Sequence, residues 1–334
     1  MPDDKVRTQE EGRDPRVVEL HSRDAEEHAG RLSGWTLRVE QFSAGRFSGQ
    51  LTVLQLDHVQ IIRERVSQAL TIRGMGRSGT LLFSLPIAAS GDCHFNGRLL
   101  PYPCSLFRDG ADLPLVMTPR YMDVAHIVMD RQWLAEHFAG IGEQRLACDI
   151  AAMQHTCVQL SAARLAVMQQ VFVDVFNACS RTSALDFARS RSELQSALLQ
   201  LVADALVSKP AISVTGATSQ KQVADRALAY TLSRRQDPPS VDDICRHIGV
   251  SRRNLQDCFR NAFGISPKQF LQVGRLNAVR RELKLLAAAG QRIPIGDVAA
   301  SWGFWHWSRF AGNYRELFGE LPSQTLQDDP CIVL

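Results

Sequence analysis

Five long or charged polar side chains crowd the ten residues SRRNLQDCFR, beside Ser251 and Asn254: Arg252, Arg253, Gln256, Asp257 and Arg260. A guanidinium is a planar fork of donors that grips a carboxylate, a phosphate or the O6/N7 edge of guanine through two bonds at once. A glutamine amide matches the N6/N7 edge of adenine in the same way, and an aspartate accepts from the amino group of cytosine. Farther on, WSRFAG supplies a second set: Trp307, Ser308, Arg309, Ala311 and Gly312. Both sets suit recognition of a polyanion with readable edges better than bond-breaking chemistry, and no catalytic constellation accompanies them.

The elements that carry them repeat. FRNAFGISP (259–267) and YRELFGELP (314–322) share the pattern aromatic–Arg–x–x–Phe–Gly–x–x–Pro. Upstream of the first copy, Val241, Ile244 and Ile248 mark the apolar face of a short helix that Gly249 ends, because a tight turn needs a residue tolerant of positive φ. Ser251 then caps a second helix whose buried side is Leu255, Phe259 and Phe263. Upstream of the second copy, Ile295, Val298 and Trp302 repeat the first face, Gly303 repeats the turn, and Phe310, Tyr314 and Phe318 repeat the second. Cys245 and Ala299, each four residues before its glycine, allow close helix crossing. These are two helix-turn-helix units, placed at 241–262 and 292–315. A long helix joins them, capped by Ser266 with Pro267 at its first position, and running to about Leu286.

The phasing assigns roles. With Leu255, Phe259 and Phe263 inward, Arg252, Arg253, Gln256, Asp257 and Arg260 face outward. Arg253 and Gln256 are the candidates for base edges, while Arg252 and Arg260 suit phosphate. Positive charge at a helix start opposes the helix dipole unless an anion lies nearby, so Arg252 and Arg253 are more than solvated surface. In the second unit Ala311 suits a thymine methyl. In WHW (305–307), Trp305 is expected to pack and His306 to sit in the turn.

Charge follows the same division. Of the 334 residues, 221–327 hold 16 Lys+Arg against 9 Asp+Glu, and the remainder 22 against 26. A basic third on an acidic body points to a polyanionic partner for that third alone. Residues 1–30 read as a polar N-terminal segment without the apolar core of a signal peptide. The longest apolar stretch, LLFSLPIAA, is too short to span a membrane, so a soluble, cytoplasmic protein is expected.

Residues 31–130 alternate apolar and polar positions and are punctuated by Gly and Pro, which predicts short strands in a sandwich or barrel. Apolar stripes at helical spacing follow in 161–180 (Leu165, Met168, Phe172, Val175, Phe176, Cys179) and 192–208 (Leu194, Leu198, Leu201, Val202, Leu206). Such stripes serve either their own core or a homodimer. SKPAISVTGATSQ (208–220) reads as a linker. The fold class is therefore α+β in two domains: a β-barrel, cupin-like, with following helices (131–207), then an all-α tandem helix-turn-helix domain (221–327).

Residues 221–327 resemble the tandem helix-turn-helix domain of the AraC/XylS family of bacterial transcription regulators, through IGVS, FGISP, RLNAVRREL and VAASWGFWHWSRFAGNYRELFGELP. RLNAVRREL and GFWHWSRF resemble most closely the branch that controls ethanolamine utilisation, and GRFSGQLTVLQLDHVQIIRERVSQAL (45–70) extends the likeness more faintly. The resemblance implies an effector-responsive activator with an N-terminal effector-binding and dimerisation domain (31–207), double-stranded DNA and RNA polymerase as partners, and a small-molecule effector, in that branch a small amine or alcohol with a cobalamin co-effector. It also implies base contacts at Arg253, Gln256 and Asp257. Two positions depart from the pattern: Asp257 and Gly312, where relatives commonly carry Arg. The second unit should therefore bind mainly through backbone and shape.

Within the N-terminal domain, Arg63, Glu64 and Arg65 are the dense charges on an expected strand. They read either as an exposed ladder or as the source of one pocket-lining residue, Arg63 and Arg65 being the effector-site candidates. No His-x-His with a downstream Glu appears, so the metal site of enzymatic cupins lacks its ligands, and His58, His94 and His126 read as structural. The eight cysteines form no C-x-x-C pair and read as small buried hydrophobes. Two rival readings remain: a constitutive DNA-binding protein without ligand, and an alkyltransferase-like repair enzyme using Cys104, which lacks the neighbouring His-Arg that would activate its thiol.

Overall fold

A computed structural model describes residues 17–179, 188–207, 211–234, 237–291 and 293–327. Most of the expected N-terminal segment (1–16), three linker residues (208–210), Arg292 at the start of the second unit, Cys331 and the side chain of Cys179 lie outside the described residues.

The chain begins with strand β1 (Val17–Ser22) and helix α1 (Ala25–Gly30), so the expected polar segment already contains folded structure. Asp24 caps α1 by accepting from the backbone of Glu26 and Glu27. Ten strands follow: β2 (Thr36–Gln41), β3 (Gly49–Gln55), β4 (Val59–Val66), β5 (Leu70–Met75), β6 (Thr80–Ala89), β7 (Cys93–Phe95), β8 (Arg98–Leu100), β9 (Ser105–Asp109), β10 (Leu113–Met117) and β11 (Met122–Asp130). Helices α2 (Arg131–Gly140) and α3 (Gln144–Ala152) precede a short strand β12 (Thr156–Val158), and then come α4 (Ala162–Cys179), α5 (Ala188–Val207) and strand β13 (Ala211–Ser213).

These strands form two open sheets, not the closed barrel read from the sequence. One has eight strands in the order β1-β3-β4-β11-β6-β9-β12-β13, the other five in the order β2-β5-β10-β7-β8. Alternation along a strand shows where barrel and sandwich diverge, because it gives each sheet two faces without saying whether its edges meet. The expected helical run 131–207 is interrupted by β12, which pairs with β9. The expected linker contributes β13, which pairs with β12. The same pairing brings Cys104 and Cys157 together in a disulfide, with Cα atoms 6.6 Å apart. These two are therefore bonded, where the sequence read them as separate small hydrophobes.

Each face of the larger sheet has a distinct partner. Ile61, Leu81, Phe83, Leu85, Phe107, Ala125 and Ile127 point to the helices, where they pack with Leu165, Met168, Phe172, Phe176, Leu198 and Val202. The helical stripes thus bury in their own domain. The neighbouring positions Ile62, Leu82 and Val128 face the opposite way, towards the five-stranded sheet.

The C-terminal domain contains α6 (Ser219–Ser233), α7 (Val241–Ile248), α8 (Arg252–Phe263), α9 (Pro267–Ala288), α10 (Ile295–Ser301), α11 (Trp307–Phe318) and α12 (Pro322–Thr325). One cluster unites it. Ile244, Leu255, Phe259 and Phe263 from the first unit, and Val298, Phe310, Tyr314 and Phe318 from the second, pack with Phe270, Leu276, Val279 and Leu283 of α9.

The two domains are joined along α9 by the Phe42 ring, which packs on Phe270 at 4.9 Å, and by polar contacts. The Asn277 amide pairs with the backbone of Gln41 on edge strand β2, accepting from its N–H (3.1 Å) and donating to its carbonyl (2.9 Å). Arg280 bonds Asp24 at 2.9 Å and Glu320 at 2.7 Å, Arg281 bonds Glu26 and Glu40, and Lys284 also pairs with Asp24. Burial alone would raise the Asp24 carboxyl, but Arg280 and Lys284 outweigh it and lower its pKa from 3.8 to about 2.

A native pKa below the unfolded one favours the folded state by roughly 2 kcal/mol at neutral pH. This contribution is complete above about pH 5 and is lost as the pH falls towards about 2. Asp24→Asn retains a side chain able to cap α1 but removes the charge. Urea unfolding at pH 7 is expected to find this variant less stable by about 1–3 kcal/mol, with the difference shrinking below about pH 4 and closing towards about pH 2.

Candidate nucleic-acid interface

The first unit is assembled by local rules. Ser240 and Asp243 form a capping box at the start of α7, and Gly249 ends it at φ 73°. The Ser251 side chain then accepts from the Asn254 backbone and starts α8. Leu255, Cys258, Phe259, Ala262 and Phe263 are buried, leaving Arg252, Arg253, Gln256, Asp257 and Arg260 exposed on one face, as the phasing required.

The exposed set is not uniform. Arg252 is tied to Asp242 of α7 at 3.0 Å. Arg253 stands clear of the surface, its side chain 93% exposed, with Asp257 one helical turn away at 4.0 Å. Exposed pairs of this kind are worth little in water, so both guanidiniums can exchange a carboxylate for a stronger anion.

The second unit has the same plan with fewer caps. Neither Pro294 before α10 nor His306 before α11 supplies a side-chain cap. Trp307, Ser308, Arg309 and Gly312 are exposed, Ala311 is half-buried, and Phe310 and Tyr314 are buried. The expectation for Trp305 fails: its ring is 68% exposed, because it lies in the turn before α11 and the aromatic packed on Phe310 there is Phe304.

Between α9 and α11 runs a cleft that the sequence reading missed, lined by Lys268, Gln272, Arg275, Trp305, His306 and Arg309 among others. Arg275 lies over the Phe304 ring at 5.3 Å. Three cations meet there from two helices. Lys268, Gln272 and Arg275 recur at steps of three and four along α9, a signal available in the sequence once α9 is seen as more than a spacer.

The remaining candidates lie in the N-terminal domain. Arg63 and Arg65 do not line its cavity. Both bind Asp123, at 2.8 and 3.3 Å, and Arg63 lies near the Phe176 ring on the helix side of the sheet. Strand alternation sends Glu64, between them, to the other face and into the cavity. Cys104 carries no free thiol, being bonded to Cys157, which removes the alkyltransferase chemistry. His126 is held by Ser84 and Glu64 and His58 stacks on Trp133, the structural roles expected of them.

The turn glycines differ in their surroundings. A Cβ on Gly249 would meet open space, whereas on Gly303, at φ 78°, it would lie 2.1 Å from the Pro238 ring. Gly249→Ala should cost only the left-handed backbone penalty, about 1–2 kcal/mol. Gly303→Ala should cost clearly more, because Pro238 must also move. Denaturant unfolding of the two variants side by side checks the order.

A helix-turn-helix domain family matches residues 244–328. A probable thc operon regulatory protein of Rhodococcus erythropolis is 36% identical over 104 residues, 31% of each chain. A XylDLEGF operon transcriptional activator of Pseudomonas putida is 38% identical over 88 residues, 26% of this chain and 27% of that one. The matched part thus spans less than a third of these relatives. The solved AraC-like transcriptional activator CuxR is similar at 16% identity and a TM-score of 0.42, over 85% of this chain and all of that one.

Proposed function

We propose that this chain, whose C-terminal domain is of the AraC/XylS helix-turn-helix type, is a sequence-specific regulator of operon transcription that binds double-stranded DNA and responds to a small effector. The observation that carries the reading is the pair of units packed on one rod with their polar faces in solvent. The rod, α9, has 22 residues, which at about 1.5 Å each make it about 33 Å long. That is close to the ~34 Å between successive major-groove faces of a duplex.

In this reading α8 and α11 enter adjacent major grooves. Arg253 and Gln256 read base edges, and Asp257 either accepts from cytosine or orients Arg253. Arg252 and Arg260 hold phosphates, joined by the cations of the α9–α11 cleft. The second unit, with Ala311 and Gly312 at its face, reads mainly shape. The protein works in the cytoplasm on nucleoid DNA and activates by contact with RNA polymerase. A homodimer through α4 and α5 would have to use their outer sides, where Val167 and Val207 are exposed, since the stripes are committed to the domain core. Effector response rests on the cavity between the two sheets.

Gel-shift titration of the full chain on promoter fragments tests the reading, and absence of a salt-sensitive, sequence-selective shift would reject it. Arg253→Ala or Gln256→Ala should each weaken binding by about 1–3 kcal/mol and relax preference at one base pair. Arg260→Ala should weaken all sequences alike and reduce the slope of log K against log salt by about 1.

A further inference from the structure

The cavity between the sheets measures about 110 Å³. Its walls are mostly apolar, with Leu37, Ile62, Leu82, Phe95, Leu113 and Val124 among them. One row of polar groups crosses it. Arg108 donates to Ser84 at 3.0 Å, Ser84 meets His126 Nδ1 at 2.9 Å, and His126 Nε2 meets one oxygen of Glu64 at 3.3 Å. His28 Nε2 meets the other Glu64 oxygen at 3.1 Å.

The hydrogens can be assigned without conflict. Burial lowers the pKa of His126, and a neutral ring donates from Nε2 to Glu64 and accepts at Nδ1 from the Ser84 hydroxyl, whose oxygen accepts from Arg108. Burial alone would raise Glu64, but His126 and His28 outweigh it and hold it ionised, far below the ordinary carboxylate range. Both oxygens of this carboxylate are engaged.

What remains unpaired is on the donor side. Arg108 is only 9% exposed, and its Nε is buried without a partner among the described residues. Trp35 Nε1 is also buried without a partner. Both residues line the cavity. Trp35 packs against the cluster that contains Leu82, the cross-strand partner of Arg108. A buried guanidinium with a free donor inside an apolar enclosure calls for an acceptor, best an anionic one. An ammonium would meet the Arg108 cation beside a carboxylate whose two oxygens each already accept from a histidine, and a polyol would leave most of its hydroxyls facing hydrocarbon.

We propose that this cavity binds a small monocarboxylic acid with an apolar body, its carboxylate on Arg108 Nε and its second oxygen within the reach of Trp35 Nε1. A dry cavity of 150 Å³ is known to hold benzene, so a ligand for this smaller one has on the order of six non-hydrogen atoms or fewer. The assignment rests on the effector reading above and supplies its ligand class. It replaces the amine or alcohol that family resemblance implied.

Calorimetric titration of the full chain at fixed pH and ionic strength, with butyrate and isobutyrate, tests the assignment. Isobutyramide, 2-methylpropan-1-ol and isobutylamine serve as near-isosteric comparisons. The acids should bind, and the amine and alcohol should bind at least roughly tenfold more weakly. Arg108→Gln, which can still donate to Ser84, should weaken the acids at least roughly tenfold. Trp35→Phe, which removes only the N–H, should weaken them several-fold and decides the matter if Arg108→Gln does not fold. Preference for the amine or alcohol, no binding of either acid, or unchanged acid affinity in the folded variants would overturn the assignment. Gel shifts with and without acid keep the two readings apart: an acid that binds without altering DNA affinity supports the ligand class and counts against effector control.

Discussion

A guanidinium buried in a protein must be paired, because an unpartnered charge away from water costs several kcal/mol. Arg280 meets that demand with groups from three places in the chain. Asp24 comes from the start of α1, and Glu320 and Thr325 come from the turn and short helix after α11. The Phe318 ring lies 4.6 Å from its guanidinium carbon. Thr325 also bonds the Tyr314 hydroxyl, at 2.8 Å. A single side chain of the rod therefore links the second helix-turn-helix unit to the N-terminal domain. Only the loss of both Asp24 and Glu320 would leave its charge without a carboxylate.

Helix α1 gives this link a second end. Its cap, Asp24, and Glu26 engage α9, while His28 on the same short helix is 2% exposed and bonds Glu64 in the cavity. One six-residue element thus touches the cavity's polar row on one side and the rod on the other. The two ends lie about a single helical turn apart. The lower part of α1 is equally constrained by Gly49, where a Cβ would come within 2.4 Å of the His28 ring.

The two domains differ in how much of them could be read from residues alone. The C-terminal domain follows local grammar: caps at Ser251 and Ser266, turn glycines, and apolar positions at steps of three and four, each fixed by neighbours within one or two turns. The site candidates of the first unit therefore fall on one exposed face, as their spacing required. The N-terminal domain depends on non-local pairing. Alternation along β4 separates Glu64 from Arg63 and Arg65 but does not tell which set faces the interior, and the choice is made by β11, whose Asp123 binds both arginines on the helix side. Two charges outnumbering one made the arginines conspicuous, whereas the carboxylate proved to be the cavity residue. Arg108 was hidden for the same reason, as one charge in a short strand whose importance appears only when the second sheet covers it. The disulfide and the failure to close a barrel are likewise matters of which strands meet.

The two helix-turn-helix units look alike in sequence but are stabilised differently. The first is self-sufficient, with side-chain caps at both helix starts and a left-handed glycine closing each helix. The second lacks both side-chain caps. The last carbonyls of a helix have no partner within it, and those of α11 find theirs in the other domain. Gly45 N–H donates to the carbonyls of Glu316 and Leu317, and the Gln41 amide donates to Leu317 at 2.6 Å. A Cβ on Gly319, the glycine that closes this helix, would lie 2.8 Å from the Arg46 backbone, so the loop from Ser43 to Ser48 is seated directly against the helix end. Moving that loop would expose carbonyls that nothing else in the second unit can satisfy. The C-terminal end of α11 is consequently satisfied by the N-terminal domain, while α8, although its closing glycine lies against His94, is capped at both ends from its own unit.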